Sequence, residues 1–587
     1  MRTFGTPASD YGTACIETDD FGSLLLTGGG VTNGNGVQFG VVKTAYDGTL
    51  EWHKMFPIGS FSLAFDAVVS DNGYCILGST GSSFNTQELF LMQLDNSGNV
   101  LWKYNYGFAT NGQPVQLVKC KNGDLLCFAI SNYNTGGYPA ALLMRVSASG
   151  DVLWAKSYSG FNGVDPKALV ELTDESLAFT ATVRLPNESY PEHVLVSRLD
   201  FQGVPIWTKT FATPYLEQSR DLVANDQNDL FLVGQSYDIG NEWDGFLLKL
   251  DGDGNKVFDV HYNAGTFQGE IFRDIILTSD GSPILLGDIG GFNERNLSML
   301  KVGKDNGAIN WSHQYPLSPM FTNYSSDMYL SFNEGVVFTG DVRPPSYWRD
   351  AALFRANSYG ETGCYTESVA FTTRSNLFES DEVVLSSFEI ANVPRSNFDF
   401  NPPTDAITEK TICEDIGPLA FISASMHEDC PQVCADFACE SYGDPTSWYW
   451  EFEGAFPSNS TEENPTNICF AGSGNFDVSL TISNSDGSTT IHTTIDVPEL
   501  DCPLGEIPNI FTPNGDQVND LFEFEGLSGE FHFSIVNRWG NLVFETSTPG
   551  HFWDGTNSQG NEVSEGVYFY SLKKGSNTKH GFIHVER

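Results

Sequence analysis

The segments GNVLWKYNY (98–106), GDVLWAKSY (150–158) and GVPIWTKTF (203–211) share one frame: a glycine, an aromatic ring four residues on, and a second ring four further. The frame recurs in GTLEWHKMF (48–56), GNKVFDVHY (254–262) and GAINWSHQY (307–315), and in degraded form in GETGCYTES (360–368). Its glycines, Gly48, Gly98, Gly150, Gly203, Gly254, Gly307 and Gly360, stand 50 to 53 residues apart. Rings four residues apart lie on one side of a strand, because side chains alternate with period 2. Each unit holds further apolar runs. One follows a turn, as in NGYCILG (72–78), NDLFLVG (228–234) and GSPILLG (281–287). Another precedes the glycine, as in ELFLMQLDNSG (88–98), and a third resembles FDAVVS (65–70). Roughly four strands per unit at a period near 50 is the pattern of β-propeller blades, so seven units predict an all-β, seven-bladed ring over residues 1–370. The series Trp52, Trp102, Trp154, Trp207 and Trp311 reads as core filling the wedge between sheets, not as a ligand platform. The last unit has Cys364 and Ser368 in place of rings, while RTFG (2–5) resembles the KTF (209–211) that ends a blade. The N-terminal strand is therefore expected to complete the final blade.

Composition narrows the function classes. The 587 residues carry 75 acidic against 30 basic side chains, a formal charge of -45. Such a polyanion repels nucleic acid and anionic lipid, so no nucleic-acid partner is expected. No apolar run approaches the roughly 18 residues that span a bilayer as a helix, and MRTFGTPASD has no hydrophobic signal core. Either the chain is cytosolic or its numbering starts after a removed signal. The cysteines favour the second: Cys364, Cys413, Cys430, Cys434, Cys439, Cys469 and Cys502 all follow residue 360. That density, in a region poor in His, reads as a disulfide framework from an oxidising compartment. The rival reading is a metal site on Cys430, Cys434 and Cys439, which lacks an accompanying His or second CxxC pair. A bridge from Cys434 or Cys439 to Cys469, across a small sandwich, is expected.

Catalytic signatures are missing from the propeller. There are ten His in the chain and no GxSxG, HExxH or P-loop pattern. Asp66, Asp221 and Asp274 each lie seven residues before the turn of their unit. They read either as an acidic ring lining the channel, able to hold a cation or sugar, or as caps on strands and turns. DGDGN (251–255) resembles half a calcium loop without the later acidic ligand, and reads as a hairpin turn.

After residue 370 the repeat stops. Residues 371–417, including FDFNPPTDAITEK (398–410), read as a connector with little core of its own, bracketed by Cys364 and Cys413. Residues 418–500 hold short alternating strands such as FDVSLTIS, which suggest an immunoglobulin-like sandwich. SWYWEFEG (447–454) and GNFDVSLTISNSDG (474–487) resemble the Trp-bearing strand and penultimate hairpin of PKD domains, with the WDFGDG-type signature degraded to WEFEG. That resemblance implies a spacer or interaction module.

The last 85 residues read as a small β-sandwich of period-2 runs and Gly/Asn turns. IPNIFTPNGDQVNDLFEF (507–524), NRWG (537–540), WDG (553–555) and GVYFY (566–570) closely resemble, in family order, the gliding-motility-associated type B C-terminal sorting domain of the type IX secretion system in Bacteroidota, over 503–587. Gln517 departs from the family's glycine. The resemblance implies export through the type IX translocon, a cell-surface location attached to the outer membrane, and a small outer-membrane β-barrel partner of the PorP/SprF kind. It carries partner-binding roles onto Pro513, Asn514, Gly515, Asp516, Asn519, Asp520, Arg538, Trp539, Gly540, Trp553, Asp554 and Gly555. Asp516, Asn519 and Asp520 are also weak Ca²⁺ candidates, though side-chain-to-backbone turns that keep the loop rigid are the favoured reading. Burial is the expected role of both Trp539 and Trp553.

Three function classes follow. The preferred one is a non-enzymatic surface protein, needing no cofactor, whose propeller binds a surface ligand such as a glycan. The others are a secreted polysaccharide hydrolase with its site in the channel, and a permanent subunit of a surface or gliding machine.

Overall fold

The computed structural model describes residues 2–5, 10–30, 37–58, 61–82, 87–107, 113–131, 138–185, 192–237, 243–265, 269–291, 294–316, 325–331, 334–342, 350–362, 366–375, 377–391, 393–397, 408–411, 419–429, 432–442, 445–470, 472–484, 488–498, 507–516, 518–523, 531–548, 552–574 and 577–587. Cys364, Cys413, Cys430, Gln517 and Cys502 lie outside them. The chain divides into two compact units, Met1–Asp415 and Ile416–Arg587.

The first unit is a seven-bladed β-propeller. Blade one holds Asp10–Glu17, Ser23–Gly30, Val37–Thr44 and Leu50–Phe56. Blades two to six start with the inner strands Phe61–Ser70, Gln113–Lys119, Val164–Glu171, Glu217–Ala224 and Glu270–Leu277. Blade seven takes Ser325–Leu330, Val336–Val342 and Asp350–Ala356 from its own stretch, and Arg2–Gly5 from the N-terminus. Thr3 pairs with Ala352 and Phe4 with Ala351, and Phe4 is fully buried. Ring closure thus joins segments about 350 residues apart and leaves no open gap between first and last blade.

The repeated frame works between blades. A Cβ on Gly98 would stand 2.9 Å from the Trp52 ring of the preceding blade, one on Gly203 2.9 Å from Trp154, and one on Gly360 2.5 Å from Trp311. These glycines also have φ between 73 and 77°, where a side chain strains the backbone. The second ring docks on the same turn: the hydroxyls of Tyr106, Tyr158, Tyr262 and Tyr315 donate to the carbonyls of Gly150, Gly203, Gly307 and Gly360 at 2.6–2.8 Å. Glycine and rings of successive units therefore form one lock per blade boundary. At the closing boundary Arg2 packs over Gly48 instead.

The stretch expected to be a loose connector is a belt. Glu367–Ser368, Thr372–Ser375, Glu379–Glu382, Ser386–Glu389 and Arg395–Ser396 add a fifth strand to blades six, five, four, three and two in turn. Thr408–Thr411 then pairs with Arg2–Gly5 in blade seven. The belt runs backwards around the ring and covers outer edges that would otherwise present unpaired N–H and C=O groups. It also has core of its own making. Phe371, Phe378 and Leu385, spaced seven apart, enter the seams between blades five and six, four and five, and three and four. Ile390 enters the seam between two and three. The connector reading failed because these apolar residues are too sparse to pack on one another; the partner surface is the propeller.

In the second unit, a PKD-type sandwich pairs a sheet of Leu419–Asp429, Gln432–Tyr442, Ile468–Phe470 and Ala455–Phe456 with one of Asn459–Ser460, Ser447–Phe452, Gly474–Ser483 and Ser488–Val497. Trp450 is fully buried between Phe437 and Phe452, its Nε1 donating to the Glu462 carbonyl at 2.9 Å. A disulfide joins Cys434 and Cys469. These residues face each other on neighbouring strands of one sheet, so the bridge staples that sheet and does not cross the sandwich. Cys439 is buried in the core. The C-terminal domain is a five-stranded sheet ordered Ile510–Phe511, Asn577–Val585, Gly566–Lys574, Phe531–Val536 and Leu542–Thr546.

Candidate functional site

The motifs of the C-terminal domain sort into inward and outward groups. Trp553 is fully buried against Phe511 and Tyr568, with ring centroids 5.1 and 5.4 Å away, and its Nε1 donates to the Thr556 carbonyl at 2.7 Å. Gly555 meets Pro513: a Cβ there would stand 2.8 Å from the proline ring. The Asp554 carboxylate accepts from Thr556 N at 3.0 Å and holds the turn. Trp553, Gly555, the Tyr568 and Tyr570 rings of GVYFY and the Pro513 end of the first motif are therefore internal scaffolding.

Trp539 differs. Asn537 caps the NRWG turn, its Oδ1 accepting from the amides of Trp539 and Asn541 at 3.0 Å, with Gly540 at φ 80°. The turn holds Trp539 outward at 80% exposure. The expected burial of this residue is thus corrected: its position at a turn tip, off the strand, leaves the ring no sheet face to join. Arg538 lies beside Gly566 at the base of the same turn.

The PNGD loop is tied internally. Asp520 Oδ1 accepts from Gly515 N at 2.7 Å, Asp516 Oδ1 from Val518 N at 2.9 Å, and Asn514 Oδ1 from Asp516 N at 3.0 Å. Asn519 takes part through its backbone: it is left-handed (φ 54°) and its carbonyl accepts from Thr512 N at 2.9 Å. Asn514, not Asn519, is the third capping side chain. Carboxylate oxygens spent on backbone amides of one tight turn do not fit a calcium cage, which needs six to eight converging oxygens. Among the described residues no group of three or more His, Cys, Asp or Glu is placed to hold a metal ion.

Strand alternation missed a surface. Tyr568 and Tyr570 point into the core while Phe569, between them, is 47% exposed, and its cross-strand partner Phe582 is 50% exposed. Val536 continues the row and Leu542 ends it. The signal was present in VYFYSL, whose odd and even positions are both aromatic. An open groove of about 380 Å³ lies beside the WDG turn, lined by Leu542, Phe544, Phe552, Asp554 and Ser558.

In the propeller, the aspartates are ties between blades. Asp66 accepts from Leu117 N (2.7 Å), Asp221 from Ile275 N (3.0 Å) and Asp274 from Met328 N (2.5 Å), each on the next inner strand. Asp327, which the sequence reading overlooked, closes the series on Cys15 N at 2.8 Å. Burial raises all four carboxyls, with the neighbouring aspartates adding to the effect at Asp66 and Asp274; Asp327 is pushed up to about 6. All four carboxylates already accept an N–H bond from the next blade, which makes them strand caps. DGDGN is a hairpin turn: Asp251 Oδ1 accepts from Asp253 N and Asn255 N at 3.0 and 2.8 Å.

Residues 505–585 match the CHU_C type IX secretion signal domain. The C-terminal domain is a type IX secretion signal domain. Residues 427–497 match the PKD domain. The secretion signal implies export to the cell surface or the extracellular space and contact with the type IX machinery on the way. No curated protein matches the chain. Among solved structures, polysaccharide lyase Uly1 is similar at 9% identity (TM-score 0.40), covering 59% of this chain and 90% of that one. PorZ, a surface component of the type IX system of Porphyromonas gingivalis, is similar at 11% identity (TM-score 0.25), covering 98% and 81%. Sqt1 from Chaetomium thermophilum is similar at 8% identity (TM-score 0.36), covering 63% and 90%. Likeness at this level carries no argument about activity.

Proposed function

We propose that the chain is a non-enzymatic cell-surface protein whose propeller is a ligand-binding or adhesive head, whose PKD domain is a spacer, and whose secretion signal domain docks on an outer-membrane β-barrel of the PorP/SprF kind. The observation that carries the docking is Trp539, held outward on a turn that the Asn537 side chain caps. A large ring on a rigid support loses little entropy on binding, and tryptophans dominate interface energetics. The tied PNGD loop and the exposed row of Phe569 and Phe582 supply further preorganised surface.

The test is a reporter fused to residues 503–587, in a host with the type IX system and the cognate barrel. Surface delivery of the fusion, lowered in Trp539→Ala with the domain still folded, supports the docking. Periplasmic retention of the fusion with the barrel present removes the sorting role; normal delivery and attachment of Trp539→Ala removes the anchor role.

A further inference from the structure

The PNGD loop contains a dipeptide that is chemically fragile. Asn514 is followed by Gly515, and both are exposed. A Cβ on Gly515 would meet nothing within 4 Å, so the surroundings do not shield its nitrogen. In an Asn-Gly step the glycine amide nitrogen, with no Cβ beside it, can attack the preceding carboxamide carbon. Here a bond would form between Gly515 N and Asn514 Cγ and the Cγ–Nδ2 bond would break. Ammonia leaves with the proton that the glycine amide gives up. Water then opens the cyclic imide to aspartate or to isoaspartate, whose main chain runs through the former side chain and is one methylene longer. Two events govern the rate: loss of the glycine N–H proton, and rotation of the carboxamide over that nitrogen.

The loop opposes both events. Gly515 N donates to Asp520 Oδ1 at 2.7 Å. A carboxylate that accepts from an N–H stabilises the protonated amide, and loss of the proton would set one anion beside another. The Asn514 carboxamide is held at both of its polar atoms by Asp516: Oδ1 accepts from Asp516 N at 3.0 Å, and Nδ2 donates to Asp516 Oδ2 at 3.3 Å. Asn514 N donates to the Thr512 carbonyl at 2.8 Å, which fixes the backbone on the near side of the pair. Turning the carboxamide over Gly515 N breaks the clasp on Asp516. The same dipeptide is treated differently elsewhere in the chain. Gly123 N and Gly307 N, which follow Asn122 and Asn306, donate to the backbone carbonyls of Cys120 and Gly303 at 2.9 and 2.8 Å. Asn122 makes the same clasp, on Asp124 N and Oδ2 at 3.1 and 2.9 Å. Of these three steps, 514–515 is the one whose glycine amide rests on a carboxylate.

We propose that Asn514–Gly515 is a latent deamidation site and that the Asp520 carboxylate guards it, with Asp516 as a second restraint. Asp520 is a positioning residue: it acts through the Gly515 nitrogen and touches no ligand. The inference goes beyond the docking reading, since the chemistry needs no partner. What is guarded is the shape and charge of the loop. Isoaspartate at 514 would lengthen the main chain inside a turn that is closed by Thr512 N on the Asn519 carbonyl at 2.9 Å. It would also set a new carboxylate beside Asp516 and Asp520, in a loop whose side chains are committed to backbone amides.

The test is slow ageing of the full chain and of its Asp520→Ala and Asp520→Asn variants at neutral pH and body temperature. Peptide mapping with electron-transfer fragmentation reads isoaspartate at positions 514, 122 and 306 in each sample. The unsubstituted chain should keep Asn514 at least tenfold longer than a synthetic peptide of residues 510–524. Asp520→Ala should form isoaspartate at 514 at least tenfold faster than the unsubstituted chain, with 122 and 306 unchanged. Asp520→Asn keeps an acceptor of the same shape without the charge, and should fall between the two with an unchanged melting curve. A merely structural role for Asp520 would be rescued in full by Asn, so a rate in Asp520→Asn equal to the unsubstituted chain overturns the carboxylate guard. If Asp520→Ala loosens the domain, the Asp520→Asn result decides. Loss of Asn514 in the unsubstituted chain as fast as in the peptide, or a rate in Asp520→Ala as slow as the unsubstituted chain, overturns the inference. The docking reading is decided separately, by surface delivery of the reporter fusion.

Discussion

Truncating Phe378 to alanine should release the belt without opening the ring. Phe378 is 2% exposed, its ring edge-on to Phe246 at 5.0 Å and tilted against His261 at 5.1 Å. Asp259, fully buried, accepts from Leu377 N at 2.7 Å and from Phe378 N at 3.4 Å, so the anchor is one side chain and two amides deep. Loss of a buried phenyl ring costs about 3–5 kcal/mol when the cavity does not collapse. Around it the belt is held by four-residue strands at Thr372–Ser375 and Glu379–Glu382, whose local opening needs no blade to move. The lost energy should therefore appear as local opening, a rise of about 10² to several times 10³ in the opening constant at about 1.4 kcal/mol per decade. Hydrogen exchange read by mass spectrometry on peptides spanning 369–391 measures it. Expected are faster exchange there, unchanged exchange in the inner strands of blades four and five, and no effect in Phe388→Ala, which removes a belt ring that is 47% exposed. Unchanged exchange of 369–391 in Phe378→Ala, or exchange that rises equally in the inner strands, would refute the anchoring argument.

Three further outcomes are expected. Removing Arg2–Gly5 strips blade seven of its outer strand and the Thr408–Thr411 partner, and should lower the melting temperature by several degrees; an unchanged scan would mean that closure contributes nothing. In the secretion domain, Trp553→Ala should cost about 3–5 kcal/mol in urea denaturation and Trp539→Ala under about 0.5 kcal/mol, since one ring is buried and the other is 80% exposed. Glu217 is fully buried and its carboxyl is pushed up to about 8 by burial, so the folded state keeps a proton that the unfolded chain releases above about 4.3. Its contribution is full below that pH and is lost as pH rises towards 8, at about 1.4 kcal/mol per pH unit while one proton separates the states; Glu217→Gln should flatten the stability–pH slope between pH 5 and 8 by that amount, and parallel slopes would contradict it.

The blade count was legible because the information is local. Each unit carries its own turn, its own strands and its own glycine-and-ring frame, so seven copies mean seven blades wherever the chain goes next. The same holds for the secretion domain, whose motifs stand in order along 85 residues, and for the Asx turns, since an Asn or Asp caps amides two and four residues on without help from the rest of the molecule. What stayed hidden depends on partners far away in the chain. The Trp52 ring and Gly98 belong to one lock, yet each alone reads as core filler and turn residue. Asp66 and Asp274 look like channel acids until the amides of Leu117 and Met328 are brought against them. Phe371, Phe378 and Leu385 are too few to suggest a core, and the belt exists because seven blades leave a row of outer edges for them to cover. Trp539 and Trp553 are one residue type in two Gly-bearing turns, and sequence offers no reason to separate them. The sheet does: Trp553 meets Phe511 and Tyr568 beneath it, and Trp539 stands exposed on the turn that Asn537 caps.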